Sequence, residues 1–334
     1  MIGSLHIAFA LILLAGAPLR ATDDAALQRG RQITKDILAG DTAALHQRIS
    51  EGFLKAVGGA EGLKKFVEGI RTGLGREVEV RDEVAFKEAG LTAYYRHSRF
   101  EKVPDVTIRW VVDDKGVFHG GNVRPTVTPA KTDHLGYRTK ASLRLPFANA
   151  TVGNWYVAWG GRDHIHNKHV VAVDQRFGYD FLVLKDTMPF SGNGKRNEDH
   201  YCFGQPLFAP AAGKIVAALD GLIDNPVGVR DEKRPAGNHV VIDHGRSEFS
   251  FLAHLQKGSV AVKPGQRVAK GALVGRCGNS GQSDLPHLHY HLQTTPIYEA
   301  GAGLPSYFND YVSGDKRVKR GEPVRGEYLT LKGR

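Results

Sequence analysis

Cysteine is scarce in this chain. Of 334 residues only Cys202 and Cys277 are cysteine, so no dense disulfide framework holds the fold and a sizeable hydrophobic core must do so. The two thiols can pair in an oxidising compartment or stay buried and free; sequence leaves both open. Beyond the first 21 residues no segment is long and apolar enough to span a bilayer. No internal repeat, low-complexity tract or nucleic-acid-binding motif is found. There is also no His-Glu-x-x-His, which excludes the metalloprotease helix that carries its own glutamate base.

The N-terminus has its own character. "LHIAFALILLAGAPLRA" is an apolar run of signal-peptide length ending in a small residue, Ala21. Residues 1–21 therefore read as a cleaved signal peptide, with a retained N-terminal anchor as the alternative. The expectation is a secreted or periplasmic protein with no stable membrane insertion after cleavage. The formal charge of +10 suits an anionic partner such as cell-wall polymer, but it equally describes a solvated basic face.

Residues 24–126 read as a small α+β domain. "AEGLKKFVEGIRTGL" puts Leu63, Phe66, Val67, Ile70 and Leu74 on one helical stripe, and Asp41 is a good N-cap for an earlier helix carrying Leu45 and Ile49. Four strand-like segments follow, the last two joined by the turn Asp113-Asp114-Lys115-Gly116. Helices followed by a strand meander resemble the cone-shaped folds of the cystatin or nuclear-transport-factor-two type; such folds serve too many purposes to imply a chemistry. "VRPTVTPAKTDH" marks a linker, placed at 127–137. From 138 to 334, short β-rich segments alternate with Gly, Pro and Asn turns, the pattern of a mainly-β antiparallel sheet domain. Ten of the 15 histidines lie between residues 164 and 291, so histidine chemistry belongs to this second part.

"SDLPHLHYHLQ" sets His287, His289 and His291 at alternate positions, on one face of a strand. With "HVVAVDQRFGYDFLVL" (169–184), "FGQPLFAPAAGKIVAALDG" (203–221) and the run from Gly237 to Ser283, this stretch resembles the lysostaphin-like zinc endopeptidases that cut peptidoglycan peptides. The resemblance covers about residues 140–325 and is specific from Gly237 to Gln293. It implies a lysostaphin-like peptidase domain with one zinc per chain. By it, His289 and Asp180 become metal ligands, and His254 and His287 catalytic histidines.

One position departs from the family pattern. Four residues before the aspartate, where the family places its first ligand histidine, stands Arg176, which has no lone pair for a metal. Reading "VVAVDQRFGYDF" as a hairpin around Asp174-Gln175 pairs Val173 with Arg176 and, counting outward, His169 with Asp180. His169 is thereby the expected replacement ligand. His291, His164 and His166 are reserve candidates, the last two read as surface histidines. His239 and His244 read as packing or turn residues.

His169, Asp180 and His289 give two neutral imidazoles and a carboxylate, leaving a bound zinc one net positive charge and an open position for water. His254 and His287 would then divide the roles of base and oxyanion donor. The expected activity is an exported zinc endopeptidase acting on peptidoglycan stem peptides or cross-links. Two alternatives remain: an inactive wall-binding or hydrolase-activating module, favoured by Arg176, and a secreted protease of proteins. Trp155, Tyr156 and Trp159 could line the groove or pack in the core; Ser283 and Asp284 could touch substrate at its rim or form a plain turn after the tight turn Gly278–Gly281.

Overall fold

The computed structural model describes residues 24–88 and 91–331; the segment expected to be a signal peptide lies outside them. Among the described residues four α-helices come first: α1 (Asp24–Ala39), α2 (Thr42–His46), α3 (Glu51–Ala56) and α4 (Gly59–Leu74). They lie against an antiparallel meander of β1 (Glu77–Glu88), β2 (Leu91–Phe100), β3 (Val106–Val112) and β4 (Phe118–Pro125). The stripe of α4 faces this sheet as the spacing predicts, with Leu63, Val67 and Leu74 buried and Phe66 and Ile70 packed beside them. Asp41 caps α2 by accepting from the Ala44 amide. At Gly30 any Cβ would lie 2.1 Å from the Tyr94 ring, so only glycine lets α1 settle onto β2. There Trp110 donates its indole N–H to Thr34 Oγ1 at 2.9 Å.

The remaining strands are β5 (Asn154–Trp159), β6 (Tyr179–Leu184), β7 (Pro206–Phe208), β8 (Gly213–Leu219), β9 (Asn238–Asp243) and β10 (Phe249–Leu255). Then come β11 (Arg267–Val268), β12 (Leu273–Arg276), β13 (Leu288–Gln293), β14 (Gly303–Leu304), β15 (Phe308–Ser313), β16 (Lys316–Gly321) and β17 (Tyr328–Leu331). Ten of them form one antiparallel sheet in the order β11-β8-β9-β10-β13-β6-β5-β17-β15-β16, with β14 paired to β13. The architecture is mostly antiparallel β with few helices. A large core under this sheet takes Leu288, Tyr290 and Leu292 from one face of β13, which sends His289, His291 and Gln293 to the other. Trp155 belongs to that core, stacked on Phe147 at 4.1 Å, so it packs and does not line a groove. Cys202 and Cys277 are both buried and free.

The outer face of the first sheet is apolar too. Val84, Phe86, Ala93 and Tyr95 cluster with Ile165, and buried Arg325 plugs the same junction. Its guanidinium lies 4.1 Å from the Trp159 ring centroid and 5.0 Å from those of Phe86 and Tyr95. It also donates to the Ile165 carbonyl and the Tyr95 hydroxyl. The segment expected to be a linker is likewise tied down. Ala130 donates its N–H to Val170 O at 2.6 Å, and the Tyr137 hydroxyl donates to buried Glu248 at 2.7 Å.

Replacing Arg325 with Ala removes these cation–π contacts and the hydrogen bonds to Ile165 and Tyr95, at a cost of about 1–3 kcal/mol. Limited proteolysis is expected to cut within 123–137 faster in Arg325→Ala than in wild type. An unchanged cleavage rate would mean the two parts are held together elsewhere.

Candidate metal and hydrolytic site

Asp180 is the second residue of β6, where every side chain is buried, directly opposite His289 of β13. Its Oδ1 is 3.0 Å from His289 Nδ1, 3.4 Å from His169 Nε2 and 3.5 Å from His287 Nε2. Three imidazoles thus converge on one carboxylate oxygen. The potential ligand atoms of His169, Asp180 and His289 lie within 4.8 Å of one another, and among the described residues no other group of three or more histidine, cysteine or acidic side chains is so arranged.

His169 reaches this point by a route the hairpin expectation did not contain. Residues Lys168–Val171 form a 3-10 turn, and 172–177 continue as turns and irregular chain. The strand partner of Asp180 across β13 is His289, and across β5 it is Trp159. The apolar alternation of Val171 and Val173 imitates a strand, yet both are 51% exposed: no core lies beneath them to fix a hairpin. Instead Asn167 caps the 3-10 turn. Its Oδ1 accepts from the His169 N–H and from His169 Nδ1, each at 2.9 Å. Its amide nitrogen donates to the carbonyls of Gly161, Arg176 and Gly178, which fixes the carboxamide orientation. With its proton held on Nδ1, His169 turns the Nε2 lone pair toward Asp180.

Arg176 is absent from the cluster. Its side chain points away and donates to the carbonyls of Ala130 (2.7 Å) and Arg162 (3.2 Å). The residue in the position of the missing ligand therefore clamps the segment 127–137 against the loop that carries the replacement.

His254 and His287 complete the arrangement, their ring centroids 4.8 Å apart. His254 donates Nδ1–H to Ser280 O at 2.9 Å, and His287 donates Nδ1–H to Leu285 O at 2.9 Å. Both rings thus keep Nε2 as an acceptor. His254 has φ +62°, a left-handed conformation that costs a non-glycine residue about 1–3 kcal/mol. It sits where the β9–β10 register shifts between Leu252 and Leu255, a bulge that swings the ring off the regular strand direction. The tight turn fixes the acceptors: Ser280 Oγ donates to Leu255 O, and Asn225 donates to the carbonyls of Gly281 and Ser283. A Cβ at Gly281 would meet the Gly237 backbone at 2.4 Å, so the turn closes only with glycine there. Ser283 is buried, its Oγ 3.2 Å from His287 Nδ1; Asp284 pairs with Arg230.

Burial drives the electrostatics. It pushes the imidazoles of His169, His254 and His291 down, and His289 down to about 4, so all four are neutral near pH 7. Burial alone would raise Asp180, but the Lys168 ammonium, 2.6 Å from Oδ2, leads the charges that hold it well below the usual carboxylate range. An ionised carboxylate therefore faces the lone pair of His169 with no proton between them, and the His287 Nε2 lies beside it at 3.5 Å. Acceptors crowded in this way fit a cation among them. His169, His254, His287 and His289 keep 5–9% of their surface exposed, whereas His291 is sealed at 0%: it stands behind the site.

The other histidines stay outside. His166 bonds Asp163, His239 bonds Gly237 O, and His244 bonds Ala212 O and Ser250. His164 packs edge-on against His97 at 4.9 Å. Asn167 and Gln293 were not singled out from sequence. A signal existed for both: Asn167 precedes the turn as an Asx cap would, and Gln293 continues the alternation of 287, 289 and 291.

Residues 200–299 match the model of Peptidase family M23. The chain carries an M23 peptidase domain. The match contains His254, His287 and His289, with His169 and Asp180 upstream of it. A 106-residue segment is 42% identical to the peptidoglycan DD-endopeptidase ShyA of Vibrio cholerae, covering 31% of this chain and 22% of that protein. ShyC of the same organism, also named a peptidoglycan DD-endopeptidase, is 32% identical over 96 residues, or 29% and 21% of the two chains. An uncharacterized metalloprotease of Haemophilus influenzae is 32% identical over 116 residues, 34% and 22%. The matches span about a fifth of these curated relatives. The catalytic domain of lysostaphin from Staphylococcus simulans aligns at 20% identity over 45% of this chain and 86% of that one, with a TM-score of 0.27, a likeness too slight to carry weight.

The strain at residue 254 is measurable. His254→Gly is expected to be more stable than His254→Ala by about 1 kcal/mol, since only glycine adopts a positive φ freely. Equal denaturant midpoints would show that the backbone relaxes when the ring is lost.

Proposed function

We propose that this chain is an exported zinc-dependent endopeptidase that hydrolyses peptide bonds in peptidoglycan stem peptides or cross-links, with one zinc per chain held by His169, Asp180 and His289. The observation that carries the reading is the set of imidazole lone pairs aimed at an ionised, buried carboxylate, with two further histidines beside it. The M23 domain and the relatives named as peptidoglycan DD-endopeptidases support the substrate class. A secreted or periplasmic location follows from that substrate, and residues 24–126 act as an accessory domain bracing the loop of His169.

Zinc in this site would supply Lewis acidity and a bound water of lowered pKa. The chain's own contribution is proton traffic and orientation. Neutral His254 presents Nε2 as an acceptor, and the Nδ1 atoms of His254 and His287 are each taken up by a backbone carbonyl, so Nε2 is the atom of either ring that can take the proton of the attacking water. The imidazolium formed is then a donor, able to stabilise the tetrahedral oxyanion or to protonate the leaving amine. Asn167 and the carbonyls of Ser280 and Leu285 hold the rings in these tautomers throughout.

One observation favours a second reading, an inactive wall-binding or hydrolase-activating module. The Lys168 ammonium already neutralises Asp180, as a metal would. Lys168 is 49% exposed at its side chain, however, and is free to swing into solvent when a stronger cation arrives.

Zinc content separates the readings. His169→Ala and His289→Ala are each expected to weaken zinc binding by orders of magnitude, read by chelator competition. Adding Arg176→His to His169→Ala restores nothing, because the side chain at 176 faces Ala130 and Arg162. Recovery of zinc in the double variant would place the ligand at 176 after all.

His254→Ala is expected to retain zinc while losing about 10²–10⁴-fold in activity. The decisive assay digests purified cell wall and identifies the new amino termini. A zinc-loaded protein that releases none would leave only the binding module.

A further inference from the structure

His291 and Gln293 lie beyond the reacting groups, yet their hydrogen bonds determine what His289 offers to a metal. Gln293 is fully buried. Its amide nitrogen faces four oxygens: the carbonyls of Thr295 (2.8 Å), Ile297 (2.7 Å) and Ala300 (3.1 Å) and the Thr295 hydroxyl (3.2 Å). Turned the other way, the amide would press its oxygen against those acceptors. Its Oε1 is therefore the atom 3.1 Å from His291 Nε2, and His291 must carry a proton there to donate.

The constraint passes along the strand. His291 is stacked on Phe251 at 4.6 Å with rings 12° apart, and its other contacts are Tyr298, His289 and Gln293. None is acidic, so nothing balances a second proton on this sealed ring. Its Nδ1 is an acceptor, 2.9 Å from His289 Nε2. One proton bridges those nitrogens, and it belongs to His289 Nε2.

We propose that Gln293 and His291 are positioning residues that hold the His289 proton on Nε2 and so present its Nδ1 lone pair to the metal. Without them His289 could place its proton on Nδ1 and donate to Asp180 Oδ1 at 3.0 Å, closing the site as an ordinary buried histidine–aspartate pair. Asn167 does the same for His169 in one step. For His289 the instruction starts in the turn 295–300 and crosses two side chains. The inference rests on the zinc reading above and adds the origin of one ligand's tautomer.

Nitrogen-15 NMR of the metal-free full chain reads histidine tautomers directly. Near neutral pH, His289 and His291 are both expected with the proton on Nε2. A His289 proton on Nδ1 in a wild-type chain that binds zinc would overturn the proposal and leave the proposed function standing. The expected tautomers in a chain that binds no zinc would do the reverse.

Zinc affinity by chelator competition gives a second readout. His291→Phe keeps a ring on Phe251 but has no acceptor, and is expected to weaken zinc binding about 10–100-fold. His291→Gln, whose side-chain oxygen can accept from His289 Nε2, is expected to recover to within a few-fold of wild type. Zinc affinity in His291→Phe equal to wild type would also overturn the proposal. Should that variant fail to fold, the wild-type tautomers decide.

Discussion

The site depends on one buried carboxylate. Asp180 is 3% exposed, and its Oδ1 lies within 3.5 Å of three imidazole nitrogens. Burying such a charge is costly unless something repays it. Part of the compensation here comes from the Lys168 ammonium on the second oxygen. The rest of the surroundings supply acceptors where donors would stabilise the anion best. That mismatch fits a cavity built around a cation, and much of the local hydrogen bonding serves to control protons.

That control comes from the backbone. His254 and His287 each give Nδ1–H to a carbonyl of the segment 280–285, and His169 gives its own to Asn167, whose orientation three carbonyls fix. Carbonyls are acceptors that cannot tautomerise, so the proton positions follow from where the chain runs. The left-handed backbone at His254 belongs to the same scheme: strain is accepted at one residue to aim a ring at the centre. The N-terminal sheet contributes at longer range. It packs on Ile165, while Ala130 and Arg176 pin the stretch between Arg162 and Val170, so the loop carrying His169 is held on two sides.

Much was legible in the sequence wherever a periodicity reported on burial. The stripe of α4, the four-strand meander and the alternation in "HLHYHLQ" all appear as expected, because a 3.6- or two-residue repeat is the imprint of one buried face. The same alternation misled in "VVAVDQ". There Val171 and Val173 follow the strand pattern but are exposed, and the chain coils into a 3-10 turn capped by Asn167. His169 meets Asp180, but through a loop and not a ladder. The aromatic residues of "NWYVAW" could not be assigned from their pattern. The structure puts Trp155 and Tyr156 among buried neighbours and Trp159 under Arg325.

The sequence by itself determined the order of the chemistry-bearing residues and the face of β13 on which the histidines stand, because strand parity is a local, covalent property. It also showed that Arg176 cannot be a ligand, since a guanidinium has no lone pair to give. Only the tertiary structure decided which way each imidazole turns and where Arg176 goes instead. The Arg176 guanidinium ends on the Ala130 carbonyl 46 residues away and the His254 ring on the Ser280 carbonyl 26 residues away, partners brought close by sheet pairing and turn closure. The short-range partners of His169 and His287, by contrast, act only because the tertiary fold sets those loops against Asp180.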